Sequence, residues 1–564
     1  MTGGARSPLE AVVLDVWSDL LGAPDLGRDD DFFDVGGNSL LATQVAGRLT
    51  STTGVEIGVR DVFDAATAAD LARTIETRVA RPVGSSELRA STTPLDAGPL
   101  SPAQRRLWFQ HLLDPASDVY NLAFTLRFSG DLVIGALEEA VRDVLRRHRV
   151  LRTTYTTGPD GPLQRVGDGP AVDLTPVAVP SGGLDDFVRS LAGSPSTSKH
   201  LRPCVSAVSH CGHRARPGDS RPSHRGRRMV PRSVVDRPRG GLPRARRGAV
   251  PQWSPLPLDY LDHARWQNTH VDANLDDWVE ILEGAPTESS LPPDRVRSET
   301  VNPEVGAVHV ALHGEPAERV AATARRHRST TFMTIHAALA AVLARHNDTD
   351  DIVIGTAVAG RGDPRLDSLV GMFASTLPLR TDVGAGQTFA DLLEHVRERD
   401  IEAFARVDTP FERIVERVAP ERYSARHPIF QVALAVRRPG SLRFTLPGLE
   451  VSAAPIESAS TQFDLHVTVT EKPDGLDFEF AYRSDLYEAA TIEAFAARLI
   501  RFLDHVTADP GLPIGDVGLL TATERRGLVP ASGADGSVAG LWQVLAAGAA
   551  EHPTAWRWLQ ATAP

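Results

Sequence analysis

The sequence predicts a multidomain protein, all-α at its start and mixed α/β over most of its length. Three observations carry this. At 564 residues the chain is longer than one domain, for which ~100–200 residues is usual. Its first eighty residues repeat apolar side chains at helical spacing and then give way to a polar stretch over 81–99. Beyond that stretch, helix-like and strand-like periodicities both occur. Hydrophobic content of 42% and charged content of 23% are those of an ordinary globular protein. A net charge of −12 argues against a generic nucleic-acid partner. No apolar run approaches the ~18 residues of a membrane span, and nothing resembles a secretory signal, so the expectation is a cytoplasmic chain with no membrane partner. Cys204 and Cys211 give no disulfide framework.

The elements of the first domain follow from their spacing. Leu9, Val12, Val13, Val16 and Leu20 share one helical face, and Gly22 stops it. A long loop leads to Gly36-Gly37. Leu40, Leu41, Val45 and Leu49 mark a second helix that begins at Ser39. Val59 to Phe63 allow a short third helix, and Leu71, Ile75 and Val79 mark a fourth. Four short helices make a small bundle over 1–80, able to fold alone. Residues 81–99 (Pro82, Gly84, Ser85, Ser86, Ser91, Thr92, Thr93, Pro94) read as a polar linker.

Within this bundle, Asp31-Phe32-Phe33-Asp34-Val35-Gly36-Gly37-Asn38-Ser39-Leu40 is the most informative stretch. It places Ser39 at a helix N-terminus, where free amide groups and the positive end of the helix dipole favour an attached phosphate. A plain N-cap serine is the alternative. The decamer resembles the 4'-phosphopantetheine site of peptidyl carrier proteins. The resemblance implies that Ser39 takes the phosphodiester of a flexible thiol arm from a phosphopantetheinyl transferase.

From Leu100 the chain resembles the condensation domain of nonribosomal peptide synthetases through six ordered motifs. Ser101-Pro102-Ala103-Gln104-Arg105-Arg106-Leu107-Trp108 is similar to the opening one. Arg147-His148-Arg149-Val150-Leu151-Arg152-Thr153 is similar to the second, with Arg149 where Glu is usual. Tyr260-Leu261-Asp262-His263-Ala264-Arg265-Trp266-Gln267 is similar to the fourth. Ile354-Gly355-Thr356, Ala359-Gly360-Arg361 and Leu369 to Leu377 are similar to the fifth, with Ser375 where Asn is usual. Pro410-Phe411-Glu412-Arg413 and His427-Pro428-Ile429-Phe430-Gln431-Val432 are similar to the last two. Read as residues alone, His148 closes an amphipathic helix, Trp108 and Trp266 are core, and Arg152 and Arg361 are ion-pair partners, so the motifs speak for fold more than for catalysis. The resemblance implies a two-lobed α/β domain of chloramphenicol-acetyltransferase-like type over 100–515. Its lobes, about 100–275 and 276–515, would meet along a tunnel.

The motif that carries the chemistry in that family, His-His-x-x-x-Asp-Gly, is missing. Its second His lies beside the acceptor amine and the donor thioester, as a general base or positioning group. Spacing places it near Ser223 and His224, where the chain reads Arg221-Pro222-Ser223-His224-Arg225-Gly226-Arg227-Arg228-Met229-Val230. Residues 201–250 hold 13 Arg, two Asp and no Phe, Tyr or Trp, a composition that cannot supply core strands. Only Lys199 and Lys472 among the 60 basic residues are lysine, which points to a GC-rich gene. Codons for Pro222 to Pro231 read one base later can spell His-His-Thr-Val-Ala-Asp-Gly-Trp-Ser; the Trp is forced by Met229 followed by Val230. A different shift over Ser194 to Ser198 permits Pro-Phe-Asp-Leu, another family string. Residues 194–250 are therefore expected to be translated out of frame, with normal reading resumed near Pro251-Gln252-Trp253. The same explanation disposes of the apparent zinc cluster Cys204, His210, Cys211 and His213, and of an arginine-rich nucleic-acid arm; no metal is expected.

Phe463-Asp464-Leu465, Phe478-Glu479-Phe480 and Tyr482 to Tyr487 resemble closing strands of a condensation domain, and Ala489 to Val506 is an amphipathic helix. Residues 516–564 resemble a linker (Thr521 to Arg526) and the start of an adenylation domain (Leu541 to Ala555) that a further frame slip cuts short before Pro564. By family logic the carrier is the donor, holding an aminoacyl or peptidyl thioester, and an adenylation domain and acceptor carrier act downstream or in trans. Two functions are expected: an amide-forming module fragment, inactive as written with no catalytic residue retained, or a non-catalytic carrier and docking module.

Overall fold

The computed structural model describes residues 5–78, 88–115, 120, 124–159, 161–169, 172, 174–177, 187, 251, 253–269, 274–297, 305–418, 426–438, 442–455 and 461–528. The segment 194–250, including Ser223 and His224, and the adenylation-like residues Leu541 to Pro564 lie outside these. Contacts divide the chain into two units, 1–517 and 518–564.

The four predicted carrier helices are present. Ser7 accepts the Glu10 amide at the start of α1 (Pro8–Leu21), and Gly22 ends it in the left-handed region at φ 66°. α2 (Ser39–Thr53), α3 (Val59–Asp64) and α4 (Ala68–Thr77) follow. Val79, read as part of the fourth helix, lies outside the described residues. Val13, Trp17, Phe32, Leu49, Val62 and Leu71 are fully buried between the helices. The stretch read as a polar linker is anchored from Leu88 onward. Leu88 packs with Leu258 and Tyr260, and Ser91 donates to Asp262 at 2.5 Å.

Among the described residues, three sheets build the rest of the first unit. β1 (Ala97–Pro99), β4 (Gly161–Val166) and β3 (Thr153–Gly158) form one, in that order. α5 (Pro102–Leu113) and α6 (Ile134–Arg147) flank β2 (Phe124–Gly130) in sequence. β2 joins β10 (Leu449–Pro455) and β9 (Leu442–Leu446) in a second sheet, pairing antiparallel with β10 from Gly130↔Leu449 to Phe124↔Pro455. The division into lobes at 100–275 and 276–515 is thus crossed: the later half of the chain lends two strands to the earlier half, and Phe128, Ala140 and Val451 share one core. α7 (Tyr260–Thr269) and α8 (Leu275–Leu282) lead into the largest sheet.

That sheet has the order β5-β12-β11-β8-β6-β7, from Val305–His313, Gly475–Arg483, Leu465–Lys472, Val432–Arg437, Asp351–Val358 and Ser375–Asp382. β8 pairs parallel with β11 and with β6; the other neighbours are antiparallel. Its helices are α9 (Glu315–Arg326), α10 (Thr331–Asn347), α11 (Phe389–Phe404), α12 (Phe411–Val418) and α13 (Ala489–Ala508). α10 is buried at every residue from Met333 to Ala344, the mark of a helix enclosed on all sides. In the second unit the described residues include α14 (Ala522–Leu528).

Candidate functional site

The turn before Ser39 is built by its own side chains. Asp31 Oδ1 accepts from the amides of Phe33 and Asp34 at 2.8 and 3.3 Å, curling the backbone. Phe32 is fully buried with its ring 5.0 Å from that of Trp17, and Phe33 lies 4.7 Å from Phe63. Gly36 has φ 114°, a conformation that favours glycine. At Gly37 a Cβ would stand 2.4 Å from the Phe32 ring and 2.5 Å from its carbonyl oxygen, so only glycine passes between turn and core. Asn38 is the N-cap of α2, accepting from the Leu41 amide at 3.0 Å, and Ser39 is the first helical residue. The N-cap alternative for Ser39 is therefore replaced: the neighbouring Asn38 caps, and the serine hydroxyl is left for other use.

Ser39 lies at a helix N-terminus as the sequence predicts, but it is 4% exposed, with Oγ 3.4 Å from Thr330 Oγ1. Thr330 is itself the N-cap of α10 and accepts from the Met333 amide. The hydroxyl thus sits where the N-termini of two helices, α2 and α10, converge. This fits a phosphodiester on Ser39, because both ends present amide groups and the positive end of a dipole. The Ser329-Thr330 pair before an apolar run marks a helix start in the sequence, but nothing in the sequence tells that a serine 291 positions earlier meets it.

The condensation-like motifs converge as well. Ser101 and Gln104 form a capping box at α5: Ser101 Oγ accepts the Gln104 amide at 3.2 Å and Gln104 Oε1 accepts the Ser101 amide at 2.9 Å. Tyr260 OH donates to the Met372 carbonyl at 2.7 Å, so the Ser101 hydroxyl, 3.0 Å away, donates to Tyr260. One phenol therefore ties the first, fourth and fifth motifs. Arg106 lies 3.2 Å from Glu412, and the Phe411 ring stacks on His427 at 5.5 Å, which brings in the last two. Ser375 heads β7 with its hydroxyl buried and unbonded.

His148 is buried as the C-cap of α6, and Trp108 is 7% exposed, both as expected from the sequence. Trp266 packs half-buried on Tyr260 and its neighbours. The two arginines expected in ion pairs do something else. Arg361 donates to the carbonyls of Leu366 and Leu369 and lies 4.0 Å from the centre of the Phe373 ring. Arg152 donates to the Gly167 carbonyl at 2.5 Å. In each case backbone oxygens of a nearby loop take the guanidinium. Arg149, which stands where Glu is usual, pairs with Asp96 at 2.5 Å and Asp259 at 3.3 Å.

Burial sets the ionisation of this region. His263 is held down to about 4, first by burial and then by Arg361. His427, among Phe411, Phe430 and Phe463, is held down to about 3 by burial and by Arg106. Both are neutral at pH 7 and serve packing. No group of three or more His, Cys, Asp or Glu among the described residues could hold a metal. Among those residues no helix is long and apolar enough to cross a membrane.

The condensation-domain family model matches residues 95–179 and 244–529, and the phosphopantetheine-attachment-site model matches 11–75. The CymA protein of Salinispora arenicola, named as a nonribosomal peptide synthetase, is 36% identical over 551 residues, covering 93% of this chain and 7% of that protein. The dimodular nonribosomal peptide synthase of Bacillus subtilis (strain 168) is 33% identical over 554 residues, covering 93% of this chain and 23% of that protein. The chain thus spans a small part of the curated relatives it matches. Among solved structures, the X-domain in its complex with OxyB from teicoplanin biosynthesis superposes with a TM-score of 0.67 at 28% identity, over 77% of this chain and 98% of that one. The starter condensation domain of rhizomide synthetase superposes with a TM-score of 0.59 at 20% identity, over 76% of this chain and 98% of that one, a likeness of fold.

Proposed function

The chain belongs to the nonribosomal peptide synthetases, as a phosphopantetheine carrier followed by a condensation domain, and from that premise we propose that Ser39 is the attachment residue of a donor carrier. The observation that carries this is the placement of Ser39 as the first residue of α2, with the capping role taken by Asn38 rather than by the serine hydroxyl. When bound, the 4'-phosphopantetheine arm supplies a thiol that holds an aminoacyl or peptidyl group as a thioester. The chain's own part is positional. Asn38 frees the serine hydroxyl, Gly37 lets the turn close on Phe32, and the convergent helix ends favour a phosphate. Holding carrier and condensation domain in one chain raises the effective concentration of the donor at the site of amide formation. A phosphopantetheinyl transferase, an adenylation domain and an acceptor carrier are the partners this role requires.

Amide formation is the family's activity; this chain as written lacks it. The reading rests on the text near Ser223 and His224, which holds no His pair and no Asp at the motif spacing, and on the codon arithmetic that restores the motif one base later. The break between the two family matches, 180–243, is consistent with it. Incubation with a phosphopantetheinyl transferase and coenzyme A is expected to add one arm to the chain and none to Ser39→Ala, measured by intact mass. An unmodified parent chain overturns the carrier reading. A second reading, a non-catalytic carrier and docking module, draws on the likeness to a domain solved in complex with another protein. Both readings give an arm on Ser39 without amide turnover, so the two are told apart by restoring the motif: a chain that reads His-His-Thr-Val-Ala-Asp-Gly at 222–228 gains turnover with a loaded acceptor carrier under the first reading and none under the second.

A further inference from the structure

The carrier meets the condensation domain through charges of alternating sign. Arg48 reaches Asp367 and Arg60 reaches Glu398, each at 2.6 Å, carrier cation to condensation anion. The polarity then reverses: Asp64 accepts from Arg397 at 2.9 Å, and Asp34 lies 3.7 Å from Arg325. Arg397 is fixed for this by donating to the Arg328 carbonyl at 2.8 Å, and it lies 5.9 Å from the Phe63 ring centre of α3. The backbones also touch. A Cβ on Gly47, in the middle of α2, would stand 2.2 Å from the Gly362 carbonyl oxygen. These contacts seat the carrier with Ser39 covered by Thr330.

We propose that this is a closed state that gates the carrier. Seated by its four ion pairs and by the Gly47–Gly362 contact, the carrier hides the Ser39 side chain from reagents and enzymes in solution, and modification of Ser39 requires the carrier to leave the condensation domain. Only the identity of that modification rests on the reading of Ser39 as the attachment residue. The alternating charges also make the seat selective, since a carrier with an acidic residue at 60 or a basic one at 64 would meet like charge.

The test uses the full chain with Cys204→Ser and Cys211→Ser, so that Ser39→Cys is its only thiol. Labelling by a maleimide is followed by intact mass. Asp367→Arg/Glu398→Arg changes only the condensation side and is expected to speed labelling at least ~5-fold by opening the seat. Gly47→Ala is expected to speed it as well, although alanine favours a helix over glycine. Raising salt from about 0.05 to about 0.5 M should speed labelling of the parent more than that of the charge-reversed chain, which keeps only two of the four attractive pairs. Equal rates in all three chains, indifferent to salt, overturn the proposal. With native Ser39, a phosphopantetheinyl transferase and coenzyme A, the same variants are expected to load faster than the parent. If no chain loads while the labelling rates still differ, the attachment reading falls and the gate stands.

Discussion

His263, His427 and His466 are held by burial at about 4, 3 and 4, so each is neutral in the folded chain at any pH above those values. An unfolded histidine takes up a proton near pH ~6.5. Between these values the unfolded chain binds more protons than the folded one, and stability falls as the pH drops through 6.5. At pH 5 each histidine lowers stability by ~2 kcal/mol relative to pH 8. Asp400 and Asp408, raised by burial, act in the opposite direction, so the slope of one site is best isolated by substitution. His427→Asn keeps a donor for the Phe430 carbonyl, which Nδ1 meets at 3.0 Å, and removes the titration. The variant is expected to lose less stability than the parent between pH 8 and pH 5, by ~2 kcal/mol, in paired urea titrations. Equal losses would show that His427 protonates without cost. At the same scale, Gly37→Ala forces a Cβ into Phe32 and its carbonyl. It is expected to destabilise the carrier by ~1–3 kcal/mol, read as an earlier thermal transition of the helical signal.

α10 is the element on which the carrier seat and the condensation core both depend. Its N-cap Thr330 meets Ser39, and two turns on, His336 is sealed in the core against α11 and β7. His336 Nδ1 stands 3.0 and 3.1 Å from the two oxygens of Asp400, and Nε2 lies 3.3 Å from Thr381 Oγ1. Removing one member leaves a carboxyl buried without its partner. His336→Leu is therefore expected to cost ~3–5 kcal/mol, and His336→Leu/Asp400→Leu much less, by thermal or urea unfolding. If the single and double variants are equally destabilised, the pair is mere filler. The helices were legible because their signals are local: a cap, a period of 3.6 and a stop, as in Ser101-Pro102-x-Gln104 or Gly22. What was not legible depends on distant partners. Nothing in Leu442 to Pro455 says that these strands leave the largest sheet's neighbourhood for β2, and nothing near Ser39 says that Thr330 will cover it. The motif order was readable, while its physical basis, one phenol at Tyr260 joining three motifs, needed the fold.

For the whole molecule, the question is whether an intact scaffold suffices for amide formation. The described motifs interlock, the carrier is seated, and the family matches flank the segment where the motif text fails. Among the described residues, the motif histidines His263 and His427 are buried in aromatic clusters that lower their basicity, so neither is presented to an attacking amine as a base. A general base or positioning imidazole is typically worth ~10²–10⁴ in rate, so a chain that keeps every other part should still fall to near background. The decisive comparison is between this chain and one encoded by a gene shifted by a base and back between codons 194 and 250, so that it reads His-His-Thr-Val-Ala-Asp-Gly-Trp-Ser at 222–230. Both would be loaded on Ser39 and offered the same acceptor carrier bearing an aminoacyl thioester, with product followed by mass. The restored chain is expected to exceed the chain as written by ~10²–10⁴. Equal turnover above background would mean that the scaffold alone, by holding two thioesters together, performs the reaction; background in both chains would favour the non-catalytic docking reading.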